Sequence, residues 1–184
     1  MLAPNFSPFP EILTNRLILD SMDNNDAVAL LQLRSSEKVM AYIDKERTKT
    51  LEETLVLIKR IKDDAANNEG ITWRISLKEQ PHMLVGTIGF WRIIKPHYRA
   101  EVGYMLHPDL WNKGLMQEAL EAVINFGFTQ MHLHSIEAHI NPGNAASAAL
   151  LKKMQFVREA YFKEDYFFRG KFLDSAIYSL VNKK

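Results

Sequence analysis

Residues 106–118 read LHPDLWNKGLMQE and join a predicted strand to a long predicted helix. His107-Pro108-Asp109 ends the strand, and an apolar stripe that starts at Leu115 marks the helix. The first turn of a helix has backbone N–H groups without intrahelical partners and a partial positive charge, which together stabilise an anion. Gly114 lets a phosphate approach closely, and Lys113 adds a positive charge. The stretch therefore predicts an anion site, although a glycine that only forms a turn would give the same letters.

On either side of this loop, the pattern predicts one mixed α/β domain of about seven strands and about four helices. No repeat or linker divides the chain, so a single domain over 12–184 follows an irregular arm over 1–11 that contains three prolines. The predicted strands cover 16–19, 71–77, 83–91, 99–106, 135–140, 156–161 and 171–181, and the predicted helices cover 23–33, 51–66, 115–126 and 144–154.

Two of these helices carry specific expectations. Thr50 and Glu53 have the spacing of a capping box and predict where the second helix begins. In the first helix, we expect Val28 and Leu31 to face inward, together with Ala27.

The composition restricts the class of function. The 184 residues carry 23 Lys and Arg against 22 Asp and Glu, a net charge of +1, which argues against binding nucleic acid or an anionic membrane through bulk charge. The absence of cysteine excludes a disulfide scaffold, a cysteine nucleophile and thiolate zinc sites. The first residues lack the pattern of a secretory signal, and no apolar stretch approaches the ~20 residues that span a bilayer. These features predict a cytoplasmic globular protein.

Other cofactor motifs are missing from the loop. It lacks the repeated glycines and the terminal Lys-Ser/Thr of a Walker A motif, and it lacks Gly-x-Gly-x-x-Gly, so neither nucleotide hydrolysis nor dinucleotide redox chemistry is supported. Six histidines, among them His132, His134 and His139, raise the question of zinc, but their spacing fits no common ligand set. We therefore expect no metal.

Residues 111–120, WNKGLMQEAL, resemble the pyrophosphate loop and helix of the GCN5-related N-acetyltransferases (GNAT superfamily), specifically the RimJ/RimL-type branch, which includes ribosomal-protein N-terminal acetyltransferases. Three further stretches resemble the same branch in the expected order: 13–19 (LTNRLIL), 100–106 (AEVGYML) and 136–147 (IEAHINPGNAAS). The resemblance extends from about residue 12 to residue 181. It implies a largely antiparallel mixed sheet in which the strands over 99–106 and 135–140 begin paired and then splay apart.

The resemblance also implies a site for acetyl-CoA. Backbone groups of Met105 and Leu106 would bond the pantetheine arm as a further strand would, in the gap between the splayed strands. Asn144 and Ser147 would face the cofactor, although the same pair is typical of a helix N-cap and its first turn. Trp111 and Met116 depart from the usual Gln/Arg-x-x-Gly-x-Gly/Ala pattern, which affects side chains more than backbone donors. The amides that would hold the pyrophosphate belong to Trp111, Asn112, Lys113, Gly114, Leu115 and Met116.

Glu101 is the preferred catalytic base. It lies four residues before Met105, so strand alternation places both side chains on one face. Its alternative is a structural carboxylate paired with Arg99, and Glu137 and His139 on the neighbouring strand are the next candidates.

The sequence is less specific about which group supplies the proton that the leaving thiolate needs. The tyrosine that many members of the superfamily use is replaced here by Leu151. Ser147 is the nearest matching hydroxyl and is predicted either to donate a proton, directly or through water, or to serve only as a cofactor ligand.

The predicted activity is transfer of acetyl from acetyl-CoA to a primary amine, with the α-amine of a protein N-terminus (ribosomal-protein alanine or serine type) as first choice. At pH 7 an α-amine with a pKa of about 7.7–8.0 costs roughly 1.2 kcal/mol to neutralise, whereas lysine near 10.4 costs roughly 4.6. A polyamine-like small amine is the second choice, and a noncatalytic acyl-CoA sensor is the alternative class. The superfamily resemblance also allows a homodimer.

Overall fold

Residues 1–183, which the computed structural model describes, form eight strands and five α-helices. The strands are β1 (Ile12–Leu13), β2 (Leu17–Asp20), β3 (Ile71–Leu77), β4 (Gly86–Ile94), β5 (Arg99–Leu106), β6 (Ser135–Ile140), β7 (Val157–Phe168) and β8 (Lys171–Val181). The helices are α1 (Ala27–Ser35), α2 (Glu37–Met40), α3 (Leu51–Ala66), α4 (Leu115–Thr129) and α5 (Ala145–Lys153).

All eight strands belong to one sheet, in the order β1-β2-β3-β4-β5-β6-β8-β7. Every neighbouring pair is antiparallel except β5 and β6, which are parallel. The β5–β6 ladder starts at Arg99–Ser135 and ends at Glu101–Glu137, while both strands continue beyond that point. The predicted mixed, largely antiparallel sheet with two central strands that splay apart is therefore confirmed.

Apolar clusters cover both faces of the sheet, and they hold in place the strands on either side of the gap between β5 and β6. Met105 and Leu106 are adjacent on β5 and belong to different apolar clusters, as alternation along a strand requires. The larger cluster packs α4 and α5 on one face, and the smaller one packs α1 and α3 on the other. Burial on both faces makes the sheet a rigid frame for the gap.

The N-terminal residues have no helix or strand, yet they pack on this frame. Leu2 and Phe6 are buried in the larger cluster. The indole of Trp73, itself fully buried, donates a hydrogen bond of 2.7 Å to the Pro10 carbonyl, and the Phe9 ring meets it edge-on. The segment 1–11 is thus irregular in backbone but attached to the sheet through buried side chains and backbone hydrogen bonds.

Three predictions about individual elements need correction. Val28 is 59% exposed rather than inward, because a 3-10 turn held by a capping box at Asp23 delays the start of α1 and shifts its buried face to Leu30 and Leu33. Two short elements, β1 and α2, were not predicted. β7 extends to Phe168, beyond the predicted 156–161, because it pairs with β8 along most of its length.

By contrast, the Thr50 side chain does cap α3, as predicted.

No helix within residues 1–183 is long and apolar enough to cross a membrane.

Candidate active site

A cavity of about 650 Å³ lies beside the part of β5 that has separated from β6. Its walls are the end of β5, the loop and first turn of α4, one side of α5 from its N-cap to Lys153, and α2 with the residues after it. Lys113, which was predicted to bind the cofactor, is exposed and lies outside this lining. The predicted cofactor residues that do line the cavity are Met105, Leu106, Trp111, Asn112, Gly114, Leu115, Met116, Asn144 and Ser147.

The loop before α4 has the geometry of an anion site. Asn112 and Gly114 are both in the left-handed region, at φ 60° and 74°. Gly114 occupies the N-cap position and brings no side chain to cap the first turn, whose N–H groups have no intrahelical acceptor. The Trp111 indole donates a 2.8 Å hydrogen bond to the Leu106 carbonyl and attaches the loop to the end of β5. Backbone donors thus lie at the cavity wall, with the positive end of α4 behind them.

Beside the start of α5, the cavity is bordered by two hydroxyl groups, one from Ser147 on α5 and one from Tyr104 on β5. The Asn144 side chain accepts a 3.0 Å hydrogen bond from the Ser147 backbone, which is the N-cap arrangement. The Ser147 hydroxyl shares a 2.8 Å hydrogen bond with the Tyr104 hydroxyl, and burial raises the pKa of Tyr104 to about 12. Leu151, at the superfamily's usual tyrosine position, is fully buried in the core.

Sequence reasoning missed Tyr104. Tyr104 lies on the opposite face of β5 from Met105, so strand alternation directs its side chain toward α5, where it also lines the cavity. The sequence did contain a signal for it, because Tyr104 is next to Met105 at the end of β5 and any residue there lies beside the gap between β5 and β6.

A charged cluster surrounds the point where the β5–β6 ladder ends. Glu101 is 5% exposed, and its Oε2 has no hydrogen-bond partner among residues 1–183. An Arg92 guanidinium nitrogen lies 3.1 Å from that oxygen, outside hydrogen-bond geometry, and His139 Nε2 lies 3.9 Å from it. Burial raises the pKa of Glu101 above its ordinary value, although the charges of His139 and Arg92 act in the opposite direction.

Arg92 reaches Glu101 because β4 contains a bulge. Phe90 pairs with Val102 and Arg92 with Glu101, which leaves Trp91 as the extra residue. Sequence reasoning had offered Arg99 as the partner of Glu101, and it could not foresee the bulge.

Glu137 completes the cluster on β6. Its carboxylate forms an ion pair with the Arg99 guanidinium at 2.9 Å and lies 3.3 Å from His139 Nε2. Arg92 therefore lies near both carboxylates at the end of the ladder, at 3.1 Å from Glu101 and 3.8 Å from Glu137, while Arg99 pairs with Glu137 and His139 lies between the two carboxylates.

Residues 41–49 form a strap that joins this region to the β7–β8 hairpin. The Tyr166 hydroxyl donates a hydrogen bond to the Asp44 carboxylate, and Arg169 lies 2.9 Å from Glu46. The Lys45 ammonium lies 4.3 Å from the centre of the Trp91 ring. The strap thus passes close to the charged cluster.

No group of three or more His, Cys, Asp or Glu side chains within residues 1–183 is placed to hold a metal ion. His132 and His134, two of the histidines considered above, are exposed.

A family model of the acetyltransferase (GNAT) domain matches residues 16–157. YoaA, an uncharacterized N-acetyltransferase of Bacillus subtilis, is 32% identical over 96% of this chain and 99% of its own length. The spermidine N(1)-acetyltransferase of Vibrio cholerae is 24% identical over 93% of this chain and 96% of its own length. The ribosomal protein uS5-alanine N-acetyltransferase of Escherichia coli is 31% identical over 53% of this chain and 51% of its own length.

Solved structures share the fold. A GNAT-family acetyltransferase from Bacillus anthracis superposes with a TM-score of 0.83 at 28% identity, over 95% of this chain and all of that one. The spermidine N-acetyltransferase of Vibrio cholerae, solved with CoA and spermine, superposes with a TM-score of 0.80 at 21% identity, over 91% of this chain and 96% of that one.

Proposed function

The chain belongs to the GNAT acetyltransferase family and is an N-acetyltransferase, and from that premise we propose that it acetylates the α-amino group of a protein or peptide N-terminus. The observation that carries the proposal is the cavity beside the unpaired end of β5, which the anion-binding loop lines, with the charged cluster farther back on the same strand at Glu101. A long cofactor would place its diphosphate at the loop and direct its thioester tail along β5 toward that cluster.

Acetyl-CoA is the proposed cosubstrate. The amides from Trp111 to Met116 would hold its diphosphate, because donors and the positive end of α4 converge there. The side chain of Lys113, which is exposed, would contribute charge from the rim. Backbone groups of Met105 and Leu106 would bond the pantetheine arm along the free edge of β5.

Glu101 is the proposed base, with His139 and Glu137 within reach to pass the proton on. The neutral amine attacks the thioester carbon, the C–S bond breaks, and the products are the acetylated amine, one proton and the CoA thiolate. A carboxylate whose pKa is raised by burial is a better proton acceptor than an exposed one. Glu101 Oε2 makes no hydrogen bond among residues 1–183 and so keeps its capacity to accept a proton from the amine.

Ser147 and Tyr104 are the proposed source of the proton for the thiolate. Ser147 borders the cavity and is hydrogen-bonded to Tyr104, which is protonated at neutral pH because its pKa is about 12. A proton that leaves Ser147 for the thiolate is replaced from Tyr104 along this hydrogen bond.

The proposed choice of a single α-amine over a polyamine rests on charge. Glu101 and Glu137 already face Arg92 and Arg99, so neither carboxylate offers an uncompensated charge to a second ammonium group. The cost of neutralising an α-amine is also roughly 3.4 kcal/mol smaller than that for a lysine-like amine. Polyamine acetylation is the second candidate, because a spermidine acetyltransferase aligns with almost the whole chain.

An acceptor panel tests the proposal. Thiol release from acetyl-CoA is measured with peptides that begin with Ala or Ser, with the same peptides blocked at the N-terminus, and with spermidine, beside CoA binding by calorimetry. We expect release with the free peptides and none with the blocked ones. Release with spermidine alone would favour the second candidate, and CoA binding without release from any amine would favour a sensor.

A further inference from the structure

The turn between β1 and β2 holds the first carboxylate of α4. Both oxygens of Glu118 are occupied: Oε1 accepts from the Thr14 hydroxyl at 2.6 Å and from the Arg16 backbone at 2.8 Å, and Oε2 accepts from Arg16 Nε at 2.8 Å. Burial alone would raise the pKa of Glu118, but these donors outweigh it and the pKa is lowered. A charged carboxylate is therefore fixed in the first turn of α4.

Arg16 makes a second bond, to the loop itself. Its Nη1 donates 3.0 Å to the backbone carbonyl of Lys113, the residue before Gly114. In a trans peptide the C=O and the following N–H point in opposite directions. Since the Lys113 carbonyl points at Arg16, the Gly114 N–H points away from it, and Gly114 lines the cavity.

The two bonds have complementary electrostatic effects. A free carboxylate at Glu118 would stabilise the helix end but repel a diphosphate bound within one turn of it. The Arg16 guanidinium neutralises that carboxylate while its other arm sets the orientation of the loop. One residue far from this loop in sequence thus acts on both the charge and the donors of the anion site.

We propose that Arg16 is a positioning residue for the cofactor diphosphate: it orients the 113–114 peptide so that the Gly114 N–H faces the anion, and it neutralises Glu118 behind it. This inference rests on the proposed acetyl-CoA site. It assigns Arg16 no contact with the pantetheine arm, the thioester or the acceptor amine.

The test compares two acetyl donors in the Arg16→Gln variant. Acetyl-CoA carries the diphosphate, and S-acetylpantetheine has the same thioester arm without it. We expect CoA to bind at least ~10-fold more weakly, equivalent to about 1.4 kcal/mol, while kcat/KM with S-acetylpantetheine changes less than about 2-fold. Arg158→Gln on β7, an exposed arginine, is the matched control and should change neither quantity.

Two further variants separate charge from orientation. Glu118→Gln keeps an acceptor for the turn but removes the negative charge, so CoA affinity should hold or increase. Arg16→Lys keeps the positive charge, but it lacks the guanidinium fork that hydrogen-bonds to the Lys113 carbonyl and to Glu118 at the same time. The affinity for CoA should therefore fall. Unchanged CoA binding in Arg16→Gln, or an equal loss with both acetyl donors, would overturn the inference. If the wild-type chain bound no CoA, the proposed function itself would be wrong, and calorimetry distinguishes the two failures.

Discussion

At the scale of single residues, the site is defined by groups whose environment changes their chemistry. Glu101 is the clearest, because a carboxylate buried at the end of a strand ladder keeps one oxygen without a hydrogen bond. An unpaired buried oxygen costs free energy in the folded protein, and such perturbed groups are common at functional sites, which supports the proposed role of Glu101 as the base.

Replacing Glu101 by Gln should lower kcat about 10²-fold or more and leave CoA affinity unchanged. With wild-type enzyme, the rate should rise as pH passes through the elevated pKa of Glu101, since only the carboxylate accepts a proton. That limb of the pH profile should be absent in the variant. Equal rates for both proteins across the pH range would remove Glu101 from the mechanism and leave His139 or Glu137 as base.

Replacing Tyr104 by Phe should lower kcat roughly 10-fold to 10²-fold with little change in CoA affinity, because only the hydroxyl is lost. If Tyr104 acts through Ser147, the double variant with Ser147→Ala should lose no more activity than the worse single variant. Tyr161→Phe, which removes an exposed hydroxyl, is the control. Additive losses in kcat would show that the two hydroxyls act separately.

The sequence predicted site residues that lie in one continuous motif, but it did not predict residues that separate strands and helices bring together. The run from Trp111 to Met116 could be predicted because a loop and its helix are adjacent in the chain. Arg92 could not, because its contact with Glu101 depends on a bulge that appears only when β4 pairs with β5. Lys113 was predicted through its backbone amide and its charge, and its side chain is exposed outside the cavity lining.

At the scale of elements, the loop before α4 contains two left-handed residues, and the one at the helix N-cap is Gly114. Gly114→Ala should weaken CoA binding about 10-fold, since a side chain at φ 74° costs about 1–2 kcal/mol and the loop relaxes to avoid it. The matched control is Gly170→Ala in the β7–β8 turn, at φ 81° with open space around it. Calorimetry on both should show a comparable loss of thermal stability but weaker CoA binding for the first alone. Equal CoA affinity would show that the loop tolerates the strain.

Element boundaries were predictable where local capping decides them. Thr50 caps α3 as its spacing indicated, whereas the start of α1 depends on a 3-10 turn whose residues carry no strong helical signal. The short β1 and α2 have too few residues for any periodicity, so tertiary pairing decides them.

At the scale of the whole molecule, the N-terminal segment contributes to stability. Phe6→Ala should reduce the free energy of unfolding by about 3–5 kcal/mol, because a ring that is 3% exposed would leave a cavity in the larger core. Val28→Ala, at a site that is 59% exposed, should change it by less than about 0.5 kcal/mol. Denaturant titration measures both. A small effect of Phe6→Ala would mean that the segment is not docked in solution.

The gap between β5 and β6 has a kinetic consequence. The cavity begins at Tyr104 and the charged cluster lies three residues earlier on β5, at Glu101, so the proposed mechanism gives the cofactor and the amine separate places and neither has to leave before the other arrives. Initial-rate plots against one reactant at fixed levels of the other should therefore intersect, as they do for a ternary complex. Parallel lines would instead require a covalently acetylated enzyme as an obligatory stage.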